Sequence, residues 1–254
     1  MDMDFKQRFE TLWRRFFAQA ELPIVFFYSE NESGAEKVPA PSGHKCLIGE
    51  LTRVRRGTPL SFSAGTVGCP GGQRYLGFNS SLRPDFRYFL SCGVEGGIEG
   101  ERYKKTPEMV DETMEILPEF QAPAPNIVFK RWDSLNAGDN PAVVICYGHG
   151  DILSGLFTLA NYDRPGPDGV LAPFAAGCGS IVQYPFLEAR KAEPRAILGM
   201  FDISARPYLE GNLLTFAFPF ERFRDLVEQM EESFLITHSW EKVRRRIERA
   251  RAES

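Results

Sequence analysis

The chain has 254 residues, of which 43% are hydrophobic and 25% charged, with a net charge of -4. Those fractions are ordinary for a globular protein, and the acidic balance excludes non-specific nucleic-acid binding, which needs a basic face. No apolar run approaches a membrane span and the acidic start, Met1-Asp2-Met3-Asp4, carries no secretory leader pattern, so the expectation is a cytoplasmic protein with no membrane partner.

The N-terminal segment, 1–20, reads as a helix: from Asp4 to Ala20 the residues Phe5, Phe9, Leu12, Trp13, Phe16 and Phe17 form one apolar stripe at helical spacing. Pro23–Tyr28 is a short run of Ile, Val and Phe, expected as a buried strand. Ser29–Gly43 is a polar loop. Cys46–Arg56 is expected to be helical, with Leu47, Leu51 and Val54 on one face and Gly57 as its stop. Pro59–Ala64 is strand-like and leads into Gly65–Phe78, where five glycines surround Cys69 and Pro70. Glycine serves where the backbone needs positive φ or close approach, and proline biases the residue before it towards an extended conformation. A thiol on a tight, shaped loop follows.

Asp85–Ser91 is a short helix, and Gly93–Gly100 is a Gly-rich connection or lid. Thr106-Pro107 opens a helix with Thr as N-cap and Pro at the first position. Its apolar face is expected to be Met109, Val110, Met114 and Leu117. Pro118–Pro125 ends it and could act as a hinge. Two strands, Asn126–Trp132 and Ala142–Tyr147, precede Gly148-His149-Gly150-Asp151 and an apolar helix, Ile152–Tyr162, which Asp151 would cap. After a Pro/Gly turn, Ala175–Ser180 forms a second Cys-Gly turn around Cys178. It opens a helix that Pro185 should interrupt. Ala196–Phe201 and Leu213–Phe218 are strands, Phe220–Met230 is amphipathic, and Ser239 would cap a charged C-terminal helix over 239–254. In that helix Lys242, Arg244, Arg245, Arg246, Arg249 and Arg251 alternate with Glu241, Glu248 and Glu253, while Trp240, Val243 and Ile247 form the stripe. Loops between several strands are too short for crossover helices. The fold class is therefore α+β, a mainly antiparallel or mixed sheet packed with helices, in one large domain over 1–254. Ala64–Pro70 and Ala175–Ser180 resemble one another faintly, too briefly to establish a duplication.

Cys46, Cys69, Cys92, Cys146 and Cys178 are an odd, widely spaced set, which favours reduced thiols over a disulfide framework. Cys92 and Cys146 sit in apolar surroundings and read as core. Cys69 and Cys178 are the candidate reactive groups. A helix N-terminus beside Cys178 would lower its pKa, and Arg74 could add positive charge near Cys69. The candidate ligand-binding set is Cys69, Gly71, Gly72, Arg74, Cys178, Asp202 and Arg206, with Arg206 suited to a carboxylate or phosphate. The cofactor stays open. An alternative set for iron–sulfur or zinc is Cys46, Cys69, Cys178 and His44, although no two cysteines have the usual Cys-x-x-Cys spacing. Gly148-His149-Gly150-Asp151 could bind an anion through free amides, but neither nucleotide fingerprint is present. Three functional classes follow: a small-molecule or cofactor binder, a metal protein, and a scaffold or homo-oligomer working through its terminal helices.

Cys69-Pro70-Gly71-Gly72 with Leu76-Gly77-Phe78, after a Cys46 helix ending at Gly57, resembles the prokaryotic domain-of-unknown-function 169 family. Gly177-Cys178-Gly179-Ser180-Ile181, Leu198–Asp202, Ala205-Arg206-Pro207 and Phe216–Pro219 look like a branch of the same family. The resemblance covers most of the chain and implies a single family domain with no assigned activity. Many members carry Cys-Gly-Gly where this chain has Met200-Phe201-Asp202, a departure that weakens any metal site recruiting a thiol there.

Overall fold

A computed structural model describes residues 1–18 and 20–252. Its centre is one eight-stranded mixed sheet. In chain order the strands are β1 (Ile24–Ser29), β2 (Glu36–Lys37), β3 (Leu60–Ser63), β4 (Asn126–Arg131), β5 (Val143–Gly148), β6 (Val170–Leu171), β7 (Ala196–Gly199) and β8 (Leu214–Pro219). Across the sheet they run β2-β3-β4-β1-β5-β8-β7-β6. This order is a duplication. In each half the first strand pairs antiparallel with the fourth, the fourth antiparallel with the third, and the third parallel with the second. The halves join through antiparallel β1 and β5, where Val25 stands opposite Val144. A parallel pair needs a crossover, and both crossovers are helical. In the first half it is α2 (Leu47–Arg55). In the second it is a π-helical turn, Gly179–Gln183, followed by α7 (Tyr184–Glu188).

Alternation along the strands sorts the core onto two faces. Val25, Val144, Cys146, Phe216 and Phe218 meet one helical layer; Ile24, Phe26, Phe129, Ile145 and Ala217 meet the other. The first layer holds α1 (Met3–Phe16), α6 (Gly150–Ala160), α8 (Phe220–Gln229) and α9 (His238–Ala252). The stripe of α1 is used here: Phe9 lies against Trp132 at 4.5 Å between ring centroids, and Trp13 stacks on Phe17 at 4.3 Å. Trp240 of α9 is buried beside it and donates its indole N–H to the Phe16 carbonyl at 2.8 Å. Thus the apolar faces of both terminal helices close one core. The second layer contains α2, the π-turn and the short α3 (Pro70–Tyr75). Further out in the first half are α4 (Phe86–Phe89) and α5 (Pro107–Ile116).

Several local expectations change. The first helix stops at Phe16 instead of reaching Ala20, because Ala18 turns left-handed at φ 50. Cys69 is extended, as the following Pro70 requires, but the Gly-rich stretch after it is a short helix, α3, with Cys69 as its N-cap. Pro185 does not interrupt the second crossover. The Tyr184 amide reaches back five residues to the Gly179 carbonyl, and this wider turn takes up the missing donor and bulk of the proline ring. Of the expected α5 face only Val110 is buried, while Met109 is 44% exposed. Asp151 does not cap α6, since His149 holds that position and Asp151 pairs with Arg246 of α9 at 3.2 Å. Thr237, not Ser239, accepts the Trp240 amide at the start of α9. Cys92 is exposed, whereas Cys146 is buried. Gly93–Gly100 is closed by its own backbone bonds, Val94 N–H to the Ile98 carbonyl at 2.8 Å among them. The Arg251 side chain and Glu253 lie outside the described residues.

Candidate functional site

The cysteines singled out by their glycines come together on the second face. Cys46 is the N-cap of α2, Cys69 is the N-cap of α3, and Cys178 directly precedes the π-turn. All three are half-buried. The Lys45 amide bonds to the Gly68 carbonyl at 3.2 Å, which ties the start of α2 to the approach to α3. A side chain on Gly177 would strike Met200 Sδ at 3.0 Å and come within 3.5 Å of Ile48, so the second crossover begins against the first turn of α2.

Two tyrosines lock the halves in matching fashion. The Tyr75 ring of the first half lies where a Gly179 Cβ would be, at 3.0 Å; the Tyr208 ring of the second half does the same at Gly49, at 3.2 Å. Only glycine lets a ring approach a helix this closely. Tyr75 is six residues after Cys69, and Tyr208 is six residues after Asp202. By this cross-packing Asp202 occupies in the second half the place of Cys69 in the first. The faint likeness of 64–70 to 175–180 is therefore not the register of the repeat.

Asp202 is already engaged. One carboxylate oxygen accepts the Gly177 amide at 2.8 Å and the other accepts the Ser204 amide and hydroxyl at 2.9 and 2.7 Å. It caps the helical segment that carries Cys178, and a carboxylate suits that position. The candidate arginines are also tied to backbone. Arg206 donates to the Leu213 and Gly211 carbonyls, and Arg74 to the Ser80 carbonyl at 2.5 Å. Gly71 lies beside the Cys69 sulfur, and Gly72 is packed against Val67. His44 and His149 are exposed. His149 has no capping side-chain bond.

The electrostatics reverse one expectation. Cys178 was to be activated by its helix; instead burial pushes its thiol up, reinforced by Cys69, Asp202 and Cys46. Burial likewise raises Cys46, opposed by the backbone at Gly49 and Ile48, while Cys69 and Asp202 raise it further. Tyr75 is pushed up to about 12, first by burial and then by Cys178. Tyr103 is raised by burial and by Glu101 and Asp202. Tyr75 and Tyr103 were not legible as site residues, and Tyr208 was legible only as the end of the stretch that carries Asp202 and Arg206. An aromatic in a short turn has no periodicity, and only the glycine facing it marks its role. Phe174 is 65% exposed on the loop before the Cys178 helical segment, Phe201 and Ile203 are 55% and 70% exposed beside Asp202, and Lys104 lies 4.5 Å over the Phe174 ring. Among the described residues no group of three or more His, Cys, Asp or Glu is arranged to hold a metal ion. A shallow depression elsewhere, between Asp4, Arg8, Arg15 and Glu231, lies on the polar side of α1, in the other layer.

A protonated thiol is a poor nucleophile. At neutral pH Cys46 and Cys178 should therefore alkylate more slowly than exposed Cys92. Because their pKa values are raised, their rates should climb only above the ordinary thiol range, and the stability tied to keeping them protonated should fall as pH rises through it. Mass-spectrometric timing of iodoacetamide labelling between pH 7 and 10 reads this directly; equal rates at all three positions would contradict it.

Fold and site together define an α+β protein of two fused halves, with a half-buried group of thiols where the halves meet. Among the described residues no helix is long and apolar enough to cross a membrane. A family model covers residues 20–229, and its description is DUF169, "Uncharacterised ArCR". The chain belongs to this family. No curated protein matches the chain, and no solved structure does.

Proposed function

We propose that the chain binds a small molecule or cofactor at the junction of its halves, between the Cys69 turn, the start of the Cys178 helix and the Asp202–Arg206 segment. The observation that carries this reading is the meeting of three thiols from three separate chain segments. Cys46, Cys69 and Cys178 each open a helical segment of the same layer, and the Cys46 and Cys178 thiols are both raised, by burial first and then by neighbours that include Cys69. A scattered set of core cysteines would not be delivered at the starts of helical segments from both halves. Arg206 and Arg74 support the walls in this reading and do not clamp the ligand, since both are committed to carbonyls. A scaffold acting through its terminal helices has less support, because α1 and α9 use their apolar stripes internally.

Native mass spectrometry of the purified chain tests the proposal. The Cys69→Ser, Cys178→Ser double variant should melt like the parent and lose at least tenfold of any retained small molecule. Unchanged retention in a folded double variant would end this reading.

A further inference from the structure

We propose that residues 79–121, the long insertion of the first half, are a hinged lid over the junction, latched by Lys104 on Phe174 of the second half. This inference rests on the reading of the junction as a binding site and says how that site is reached.

Attachment is the first argument. The insertion leaves the fold and returns to it at one place. The Ala122 amide donates to the Gly77 carbonyl at 2.9 Å, and Gly77, at φ 79, is so close that a Cβ there would stand 2.4 Å from the Ala122 nitrogen. Beside this link the Pro118 carbonyl accepts from Gln183 at 2.9 Å, and Phe120 packs on Phe186 at 5.5 Å between ring centroids. Both ends are thus fixed along one edge, the arrangement in which a few residues beside the anchor absorb a hinge motion.

The second argument is what holds the insertion together. Arg87 of α4 pairs with Glu108 and Asp111 of α5 at 2.7 and 2.9 Å. The amides of Glu101 and Lys104 donate to the Phe89 and Leu90 carbonyls at 2.8 and 3.0 Å. Gly93–Gly100 moves with this body, since its turn is closed by its own bonds. Yet between 79 and 121 only Ser91 and Val110 are buried, while Val94, Met109 and Ile116 stay exposed. A unit with so little buried apolar surface separates from its neighbours far below the cost of global unfolding.

The third argument is where the free edge rests. Lys104 Nζ lies 4.5 Å over the ring of Phe174, four residues before Cys178. Tyr103, its neighbour, is half-buried and is raised in part by Asp202, which accepts the Gly177 amide. The edge therefore reaches both segments that meet at Cys178. A cation–π contact open to water is weak, so this latch releases without disturbing the sheet. The second half has no counterpart, because it passes from β7 to β8 through one short 3-10 turn, Arg206–Tyr208.

Iodoacetamide labelling of the full chain at pH 8, timed by mass spectrometry, tests the lid. Lys104→Ala and Phe174→Ala should each raise the Cys178 rate about fivefold or more. Lys104→Arg, which keeps a cation over the ring, should hold the parent rate. Cys92, already exposed on the lid, and Cys146, buried in the other layer, should keep their rates in all three variants. An unchanged Cys178 rate in both alanine variants overturns the lid. So does a rise at Cys178 that Cys146 matches, which would mark global unfolding. Labelling reads the thiol and not the ligand, so the two readings part. If Cys178 responds while the Cys69→Ser, Cys178→Ser chain keeps its small molecule, the lid stands and the binding reading falls. If Cys178 does not respond while that chain loses the molecule, the binding site stands and has no lid.

Discussion

Replacing Asp139 with Asn should destabilise the chain by about 3–5 kcal/mol, because it leaves a buried ammonium without its counter-charge. Lys130 Nζ donates to both Asp139 oxygens, at 2.8 and 3.0 Å, and both side chains are 2% exposed. Asp139 also accepts the Asn136 amide at 2.9 Å, so the carboxylate fixes the loop that leads into β5 as well as neutralising β4. Asn keeps the shape and the loop contact but not the charge. For a domain of this size, roughly 2–4 °C of melting temperature is lost per kcal/mol, so a drop of about 10 °C is expected. Urea denaturation supplies the free energy, and a loss below about 1 kcal/mol would show that Lys130 finds other compensation. The double variant Lys130→Met, Asp139→Leu should recover most of the loss, since a well-packed apolar pair often replaces a buried ion pair without penalty.

Trp240→Ala should have an effect of similar size, about 3–5 kcal/mol, from lost transfer energy and a cavity the helices cannot fill. The indole is the wedge between α1, α6 and α9. It lies across Gly155, where a Cβ would come within 2.3 Å of the ring, packs edge-on to Phe17 at 5.4 Å between centroids, and bonds the Phe16 carbonyl. Its loss should release α9 first, so hydrogen exchange should rise across His238–Ala252 before it rises in the sheet. Uniform acceleration throughout the chain would mean that α9 does not open as a separate unit. The thiols lie in the other helical layer, so ligand retention should be little changed at temperatures where the variant is folded.

Much of the fold was legible in the sequence, and the reasons are specific. β1, β3, β4 and β5 are short apolar or alternating runs bounded by turn residues, and the α1 stripe repeats at helical spacing. The duplication was hidden because its halves share pairing rather than residues. The first has a long insertion with α3, α4 and α5 between β3 and β4, while the second has α6 where the first has only a loop. Cys69 and Cys178 drew attention through their glycines, but the partners those glycines admit, Tyr75 and Tyr208, could be found only in three dimensions. The direction of the Cys178 shift was missed for a related reason. A helix N-terminus is visible in sequence, whereas the depth of burial and the nearby Cys69, Cys46 and Asp202 are not.

The outermost strands on both sides, Glu36–Lys37 and Val170–Leu171, are only two residues long. An exposed sheet margin is a template on which another chain can add, and brevity is one way proteins deny it length to grip. On the first margin Glu36 and Lys37 are both exposed and charged, and Arg53 pairs with Glu36 at 2.8 Å. A wide sheet built from two fused halves thus ends in margins poorly suited to fibril growth.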